Sequence, residues 1–259
     1  MNRPILWLVC LSILCSCVRP RAPISPTPKV NTSIEIPKQE KTAFQLKQIQ
    51  KTGFSIGYSE ELRIPLWVAW ELTKEETSGP IPRESNFFPD PDVTHQADNG
   101  DYKGSGWSRG HMVPAGDMKW NSTAMHDCCL MTNICPQHPK LNTGAWSKLE
   151  NKCRNTYAQK YASVYIVCGP IVNKDCQSIG NNNVVVPSAF YKVLLVKTSD
   201  TGYQAIGFIY TNDDSTQGMQ TAACSVDEVE AITGLDFFSL LPNEIEDAIE
   251  MRYDWQYWK

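Results

Sequence analysis

GWSRGHMVPAGD, residues 106–117, and LMTNICPQHPKLNTGAWSKLE, residues 130–150, decide how the chain is read. Arg109 and His111 are two apart, so on a strand they project to one face. Downstream, Trp146, Leu149, Cys153, Tyr157 and Tyr161 recur at three- and four-residue intervals, the apolar stripe of an amphipathic helix. Asn142 or Thr143 is expected to start that helix. Glu150 then lies two turns along and about 80° around the axis from Asn142, so both can border one pocket while the stripe enters the core. A base and a phosphate clamp on a strand, beside a hard-metal ligand on a helix, are what phosphodiester hydrolysis requires.

Working outward, the periodicity changes from helical to alternating. LRIPLWVAWELT, residues 62–73, is β-branched and aromatic, and residues 164–167, 189–196 and 203–210 also read as strands, the last two joined by a polar turn at 199–202. Ser225 with Glu228 and Asn243 with Glu246 match capping pairs, which predicts two shorter helices near the carboxyl end. The class expected is α+β. About 200 residues suffice for one domain with a substantial core, and no internal repeat divides them.

The amino end reads differently. Arg3 and a short apolar run from Pro4 to Leu14 form an export signal too short to span a bilayer. Leu14, Cys15, Ser16 and Cys17 resemble a bacterial lipoprotein processing site, with Cys17 as the lipidated first residue; secretion of a free product is the alternative. Residues 18–50 are rich in Pro, Thr, Ser and Lys and read as a tether. The organisation expected is therefore a signal over 1–16, a lipid-anchored tether over 17–50 and a catalytic domain over 51–259, exported and held at a membrane.

Ten cysteines in an exported chain favour disulfides. Cys128, Cys129, Cys135, Cys153, Cys168, Cys176 and Cys224 fall in the domain, an odd number, and Cys168 with Cys176 is a candidate local bridge. Cys128, Cys129, Cys135 and His138 lie close in sequence but lack the paired CxxC spacing of a structural zinc site. The net charge of −4 gives little hint of a nucleic-acid partner. Its distribution is more informative: residues 101–160 carry eight Lys or Arg against four Asp or Glu, whereas 227–259 carry nine acidic against two basic residues. A phosphate-binding surface is compatible with an acidic whole.

In the chemistry these residues suggest, His111 takes a proton from an attacking water, since an imidazole titrates near neutrality. Arg109 contacts phosphate oxygens and counters developing charge. The Asn142 carbonyl suits Mg²⁺, with Mn²⁺ as the alternative, and Glu150 can hold the cation's hydration shell. Taken singly each residue has a plainer role: Asn142 as a helix cap, Arg109 in an ion pair, Glu150 on a solvated face. His95, His126 and His138 stand outside the constellation, and Trp120, Trp146 and the aromatic cluster at 253–258 are first packing residues.

Together the two stretches resemble the active-site signature of the DNA/RNA non-specific endonucleases, the ββα-metal nucleases. IPLWVAWELT, SNFFPDP, VYIVCGPI and VVVPSAFYKVLL resemble this family's structural segments in the same order, across about residues 53–241. The resemblance implies a ββα-metal fold with a central, mainly antiparallel sheet and flanking helices, and cleavage of DNA and RNA to 5′-phosphate and 3′-hydroxyl ends. It assigns His111 as general base, Asn142 as the one direct protein ligand of Mg²⁺, Glu150 as holder of metal-bound water and Arg109 as a phosphate contact. Asn133 supports the site, and Arg154 faces substrate. Dimers occur in the family, so a homodimer is left open, as is an inhibitor protein. The family usually has Asp before Arg-Gly-His where this chain has Ser108, which puts the orientation of the site in question. Cys128 and Cys129 suggest an oxidised brace. A weakened nucleic-acid-binding lipoprotein and a specialised phosphodiesterase are the competing readings.

Overall fold

In the computed structural model, residues 33–41, 43–198 and 202–259 are described. The export signal, Cys17 and the first part of the tether lie outside them, as does most of the 199–202 turn.

Seven strands form one sheet: β1 (Lys47–Lys51), β2 (Phe54–Ser59), β3 (Ile64–Thr73), β6 (Ser163–Ile171), β7 (Ala189–Lys197), β8 (Tyr203–Thr211) and β9 (Ala223–Cys224). Their order is β9-β8-β7-β6-β3-β2-β1, and every neighbouring pair is antiparallel. The omitted numbers, β4 (Ser108–His111) and β5 (Ile134–Gln137), pair only with each other. All the strands read from sequence are present, and the mixed class with an antiparallel centre is observed.

Alternation along the strands builds two apolar layers. Val68, Trp70, Ile166, Leu194 and Phe208 point to one face, and Trp67, Ala69, Val167, Val193 and Leu195 to the other. The second face is covered from the carboxyl end by α3 (Val226–Thr233) and α4 (Asn243–Glu250): Val226 and Val229 are buried there, and Ile245 and Ile249 pack against the same cluster. The Ser225–Glu228 capping box forms as expected. The Asn243–Glu246 pair does not. Pro242 occupies the cap position without a side-chain bond, and Asn243 is already the first helical residue.

The first face carries the predicted helix, α2, over residues 139–160 after the shorter α1 (Ser122–Asp127). Trp146, Leu149, Cys153 and Tyr157 are all buried, as the stripe required. The helix starts three residues before Asn142: His138 accepts from the Lys140 N–H and Pro139 takes the first position, where its missing donor costs nothing. Asn142 thus closes a first turn rather than opening the helix. Two π segments, Asn142–Trp146 and Cys153–Tyr157, interrupt it, with a kink at Gly144.

The folded unit also begins earlier than residue 51. Lys38–Gln39 pairs with Leu235–Asp236, Ile49 is in the core, and Lys51 closes β1 with a buried ion pair to Asp90 at 2.8 Å. Residues 34–41 and 43–50 therefore pack with the domain, Ile34, Ile36 and Leu46 against one apolar layer and Ile49 in the other, where a tether running to residue 50 was expected. Among the described residues no helix is long and apolar enough to cross a membrane. The seven domain cysteines are all unpaired, so neither the Cys168–Cys176 bridge nor the Cys128–Cys129 brace exists. Cys168 instead reaches the Met112 carbonyl in the core, and Cys176 turns onto Asn173 in a loop.

Candidate active site

The β4–β5 hairpin and α2 form the local frame. Arg109 and His111 sit on β4, as their spacing suggested, but they differ in exposure: Arg109 is exposed and His111 is 7% exposed. Phe87 touches both. Its ring centroid is 5.2 Å from that of His111, and the Arg109 guanidinium carbon lies 4.6 Å over the same ring. Arg109 also donates to the Asn99 side-chain oxygen at 2.5 Å, and Asn99 donates to the Phe87 carbonyl at 3.0 Å.

His111 presents Nε2 to the Cys129 sulfur at 3.9 Å. Its Nδ1 has no hydrogen-bond partner among the described residues. Asn133 is fully buried and fastens the chain just beyond His111. Its side chain accepts from Val113 N–H at 2.9 Å and donates to the carbonyls of Val113 and Cys128 at 2.9 and 2.7 Å, while its backbone carbonyl accepts from Met112. It thereby fastens the chain at Val113, two residues past His111.

Asn142 and Arg109 line one open cleft of about 490 Å³ together with Phe87, Asn99, Trp107 and Ser108. The Asn142 side-chain amide is half-buried and makes no hydrogen bond among the described residues. Glu150 is not in that lining. It lies two turns on, half-exposed at its surface yet surrounded by protein atoms, and its carboxylate also lacks a hydrogen-bond donor. Burial pushes its pKa up to about 7, against the attraction of Lys192 and Arg154. An unpartnered amide oxygen and a carboxylate without a donor fit a hard divalent cation, which prefers oxygen ligands and keeps part of its water.

Arg154 is placed otherwise than expected. Its guanidinium donates to Asp117 at 2.5 Å and to the Asn151 side chain at 3.0 Å, and it packs on Gly116, where a Cβ would lie 2.8 Å from it. Asp117 is 1% exposed and also accepts from Trp70 Nε1 at 3.1 Å. Burial raises the Asp117 pKa and Arg154 opposes that rise. Lys192, 1% exposed, completes the cluster with its ammonium over the rings of Trp146 at 4.4 Å and Trp70 at 5.1 Å. Arg154 is thus engaged in an ion pair with the buried Asp117.

Three residues with a claim on the site were not singled out in the sequence. Phe87 and Asn99 are described above; Arg83 is exposed, and its charge acts on both Glu150 and Cys128. Asn99 had a local signal, since Asp98 and Asp101 form a capping box around it. Phe87 had none, because its partners are brought to it only by the fold. A larger cavity, about 570 Å³ and lined in part by Phe44, Asp227, Glu230 and Gly234, shares no residue with this cleft and holds no candidate group of the site.

The sequence profile described as DNA/RNA non-specific endonuclease matches residues 35–244. Nuclease EXOG, mitochondrial, of Homo sapiens is 35% identical over 207 residues, 72% of this chain and 55% of the relative. Endonuclease G, mitochondrial, of Homo sapiens is 31% identical over 219 residues, covering 79% and 72%, and Nuclease C1 of Cunninghamella echinulata var. echinulata is 32% identical over 210 residues, covering 74% and 83%. The chain spans little more than half the length of the EXOG relatives it matches. A solved EndoG/EndoGI complex, described as showing the mechanism of EndoG inhibition, contains a chain that superposes with a TM-score of 0.71 at 26% identity, over 76% of this chain and 88% of that one.

Proposed function

The chain belongs to the DNA/RNA non-specific endonuclease family, and from that premise we propose that it is a metal-dependent endonuclease that hydrolyses phosphodiester bonds in DNA and RNA, leaving 5′-phosphate and 3′-hydroxyl ends. The observation that carries the reading is the convergence of Arg109 and the unpartnered Asn142 amide on one cleft, with His111 behind the shared Phe87.

In this mechanism His111 takes the proton of the attacking water at Nδ1, the nitrogen without a protein partner. Arg109, splayed over Phe87 and held by Asn99, binds a non-bridging phosphate oxygen and offsets charge that develops there. Asn142 and Glu150 would hold Mg²⁺, or Mn²⁺ in its place, and the bound cation supplies polarisation of the phosphate and relief of charge on the leaving oxygen. Asn133 keeps β4 registered against the Cys128 turn, and the Asp117–Arg154 pair keeps α2 seated. Backbone contacts of this kind carry little base information, so weak sequence preference is expected.

The amino-terminal reading is kept as part of the proposal: Cys17, following a short apolar run, anchors the enzyme by lipid at an exported membrane surface. The test of activity compares the full-length chain with His111→Ala and Asn142→Ala on supercoiled DNA and single-stranded RNA, with Mg²⁺ and with excess chelator. Internal cutting that requires metal and is lost in both variants is the expected result. Intact substrates with folded protein and supplied metal would overturn it in favour of a binding protein or a narrow phosphodiesterase.

A further inference from the structure

Beside His111 stand two adjacent thiols. Cys128 and Cys129 are 0% and 1% exposed, their sulfurs are 3.9 Å apart, and the Cys129 sulfur is 3.9 Å from His111 Nε2. All three ligand atoms lie within 4.8 Å of one another. Of the four residues that lie close in sequence, Cys135 and His138 do not take part: Cys135 sits in the core near the Pro65 carbonyl, and His138 caps α2. The fold has exchanged His138 for a histidine from β4.

We propose that His111, Cys128 and Cys129 form a binding site for a thiophilic divalent cation of the zinc class, and that its occupancy switches off the base. A tetrahedral zinc, with Zn–S of about 2.3 Å and Zn–N of about 2.0 to 2.1 Å, separates two sulfurs by about 3.8 Å and a sulfur from a nitrogen by about 3.6 Å. The Cys128–Cys129 and Cys129–His111 spacings, both 3.9 Å, lie within a few tenths of an ångström of these values, and the Cys128 sulfur and His111 lie within 4.8 Å of each other. A disulfide needs about 2.05 Å between the sulfurs. Closing that gap would reshape the peptide between adjacent residues, at a point where Cys128 terminates α1 in right-handed helical geometry, φ −68° and ψ −16°. The spacing suits a shared ion better than a bond.

The ligands are also held in place before any ion arrives. Asn133 fixes the Cys128 carbonyl, and the Cys129 carbonyl accepts from Phe88 N–H at 3.1 Å. The Cys129 sulfur lies in contact with both prospective co-ligands, the Cys128 sulfur and His111 Nε2, each at 3.9 Å. Three protein ligands leave a fourth position for solvent. Binding releases the thiol protons to solvent.

The switch follows from imidazole chemistry and rests on the nuclease reading above. A neutral imidazole has one lone pair and one N–H. With Nε2 bound to the cation, the ring proton must reside on Nδ1, and Nδ1 then has no lone pair with which to accept a proton from water. The nitrogen that serves the substrate is disabled by coordination at the other one.

The experiment titrates the full-length chain with Co²⁺ as a spectroscopic substitute for Zn²⁺, and separately measures inhibition of Mg²⁺-supported cutting by Zn²⁺. The expected result is sulfur-to-cobalt charge-transfer bands with intense tetrahedral ligand-field bands, bleached by Zn²⁺, absent in Cys128→Ser/Cys129→Ser and formed at least tenfold more weakly in His111→Ala. Cys176→Ser/Cys224→Ser and Cys10→Ser/Cys15→Ser/Cys17→Ser retain them. The Zn²⁺ concentration for half-inhibition, normalised to each protein's own rate, rises at least tenfold in the Cys128→Ser/Cys129→Ser variant. Identical cobalt spectra in wild type and that variant, with both folded by near-ultraviolet circular dichroism, overturn the site. Equal zinc inhibition of the two overturns the switch. Because the cobalt spectrum requires no cutting, failure of the nuclease reading is separable from failure of the site.

Discussion

Arg154→Ala tests whether this arginine belongs to the fold or to the substrate. In the structure it leaves Asp117 buried with only the Trp70 N–H as a direct donor and Lys192 as the nearest remaining cation. Removing one partner of a buried pair costs about 3 to 5 kcal/mol, because the surviving charge stays desolvated. At a urea m-value of about 3 kcal/mol/M, the unfolding midpoint falls by roughly 1 to 1.7 M. Asp117→Asn, which removes the charge, should rescue part of the loss, with a coupling of about 2 kcal/mol in a double-mutant cycle. The pH dependence has a definite sign. Burial already raises the Asp117 pKa and Arg154 opposes the rise, so without Arg154 the carboxyl protonates more readily, and the deficit is smaller at about pH 5 than at about pH 8. Denaturant titrations of the four proteins at both pH values measure all of this. A change in stability below about 0.5 kcal/mol accompanied by a large rise in KM for DNA would refute the reasoning and return Arg154 to the substrate.

Phe87→Ala removes the ring shared by His111 and Arg109 and should slow cutting at least tenfold, about 1.4 kcal/mol, with a smaller loss of thermal stability because Phe87 is only half-buried. Asn99→Ala should raise KM for DNA severalfold, whereas Ser108→Ala, at a side chain without a hydrogen bond among the described residues, should change the steady-state constants less than twofold. Glu250→Gln should stabilise the fold at about pH 8 by at least about 1 kcal/mol, read as melting temperature. Burial, then repulsion from Glu230, pushes Glu250 from 4.5 to about 9, so the folded state holds an extra proton across that window and stability falls as pH rises through it; the variant should flatten this slope. A chain trimmed to begin at residue 51 should lose Ile49 and the β1 edge and unfold at least about 3 kcal/mol more easily than one beginning at residue 33, as denaturant midpoints will show.

What was legible in the sequence divides by the range of the interaction that carries it. The β-branched runs became strands and the Trp146 stripe became a buried helix face, because both follow from local periodicity and from the need of one side to leave water. Arg109 and His111 shared a strand for the same reason. Helix starts fared unevenly: Ser225 was readable because its partner is three residues away, while the long helix opens at Pro139, ahead of the Asn142 or Thr143 expected, since proline suits the first helical position. The ion pair of Arg154 with Asp117 spans 37 residues, and nothing along the chain announces it. The edge strand before residue 51 was hidden by composition: Lys47, Gln48 and Gln50 are exposed, and Ile49 is the strand's one apolar side chain in the core. Export chemistry suggested disulfides, but the fold leaves these thiols unbridged and buries five of the seven, and burial of a small apolar side chain explains a cysteine as well as a bridge does.

Ser108 shows how such long-range contacts change the reading of a motif. A carboxylate beside Arg-Gly-His would order the arginine from within the strand. Here the ordering comes from outside it, through Asn99, which accepts from Arg109 and ties down the Phe87 carbonyl. Asn99 is positioned in turn by the Asp98–Asp101 capping box, and that turn is fastened by Asn182, which donates to both aspartates at 3.2 and 2.9 Å. Hydrogen bonds to those donors hold the Asp101 carboxyl below its ordinary pKa against the effect of burial, so the clamp stays ionised where nucleases operate. Positioning of Arg109, the phosphate contact in the proposed mechanism, therefore rests not on residue 108 but on a chain of neutral amides anchored on two carboxylates. A neutral amide beside Arg109 leaves its charge uncompensated and available to phosphate, whereas a carboxylate there would neutralise part of it. Serine at 108 is consistent with a working site because the arginine is already held, and held without spending its charge.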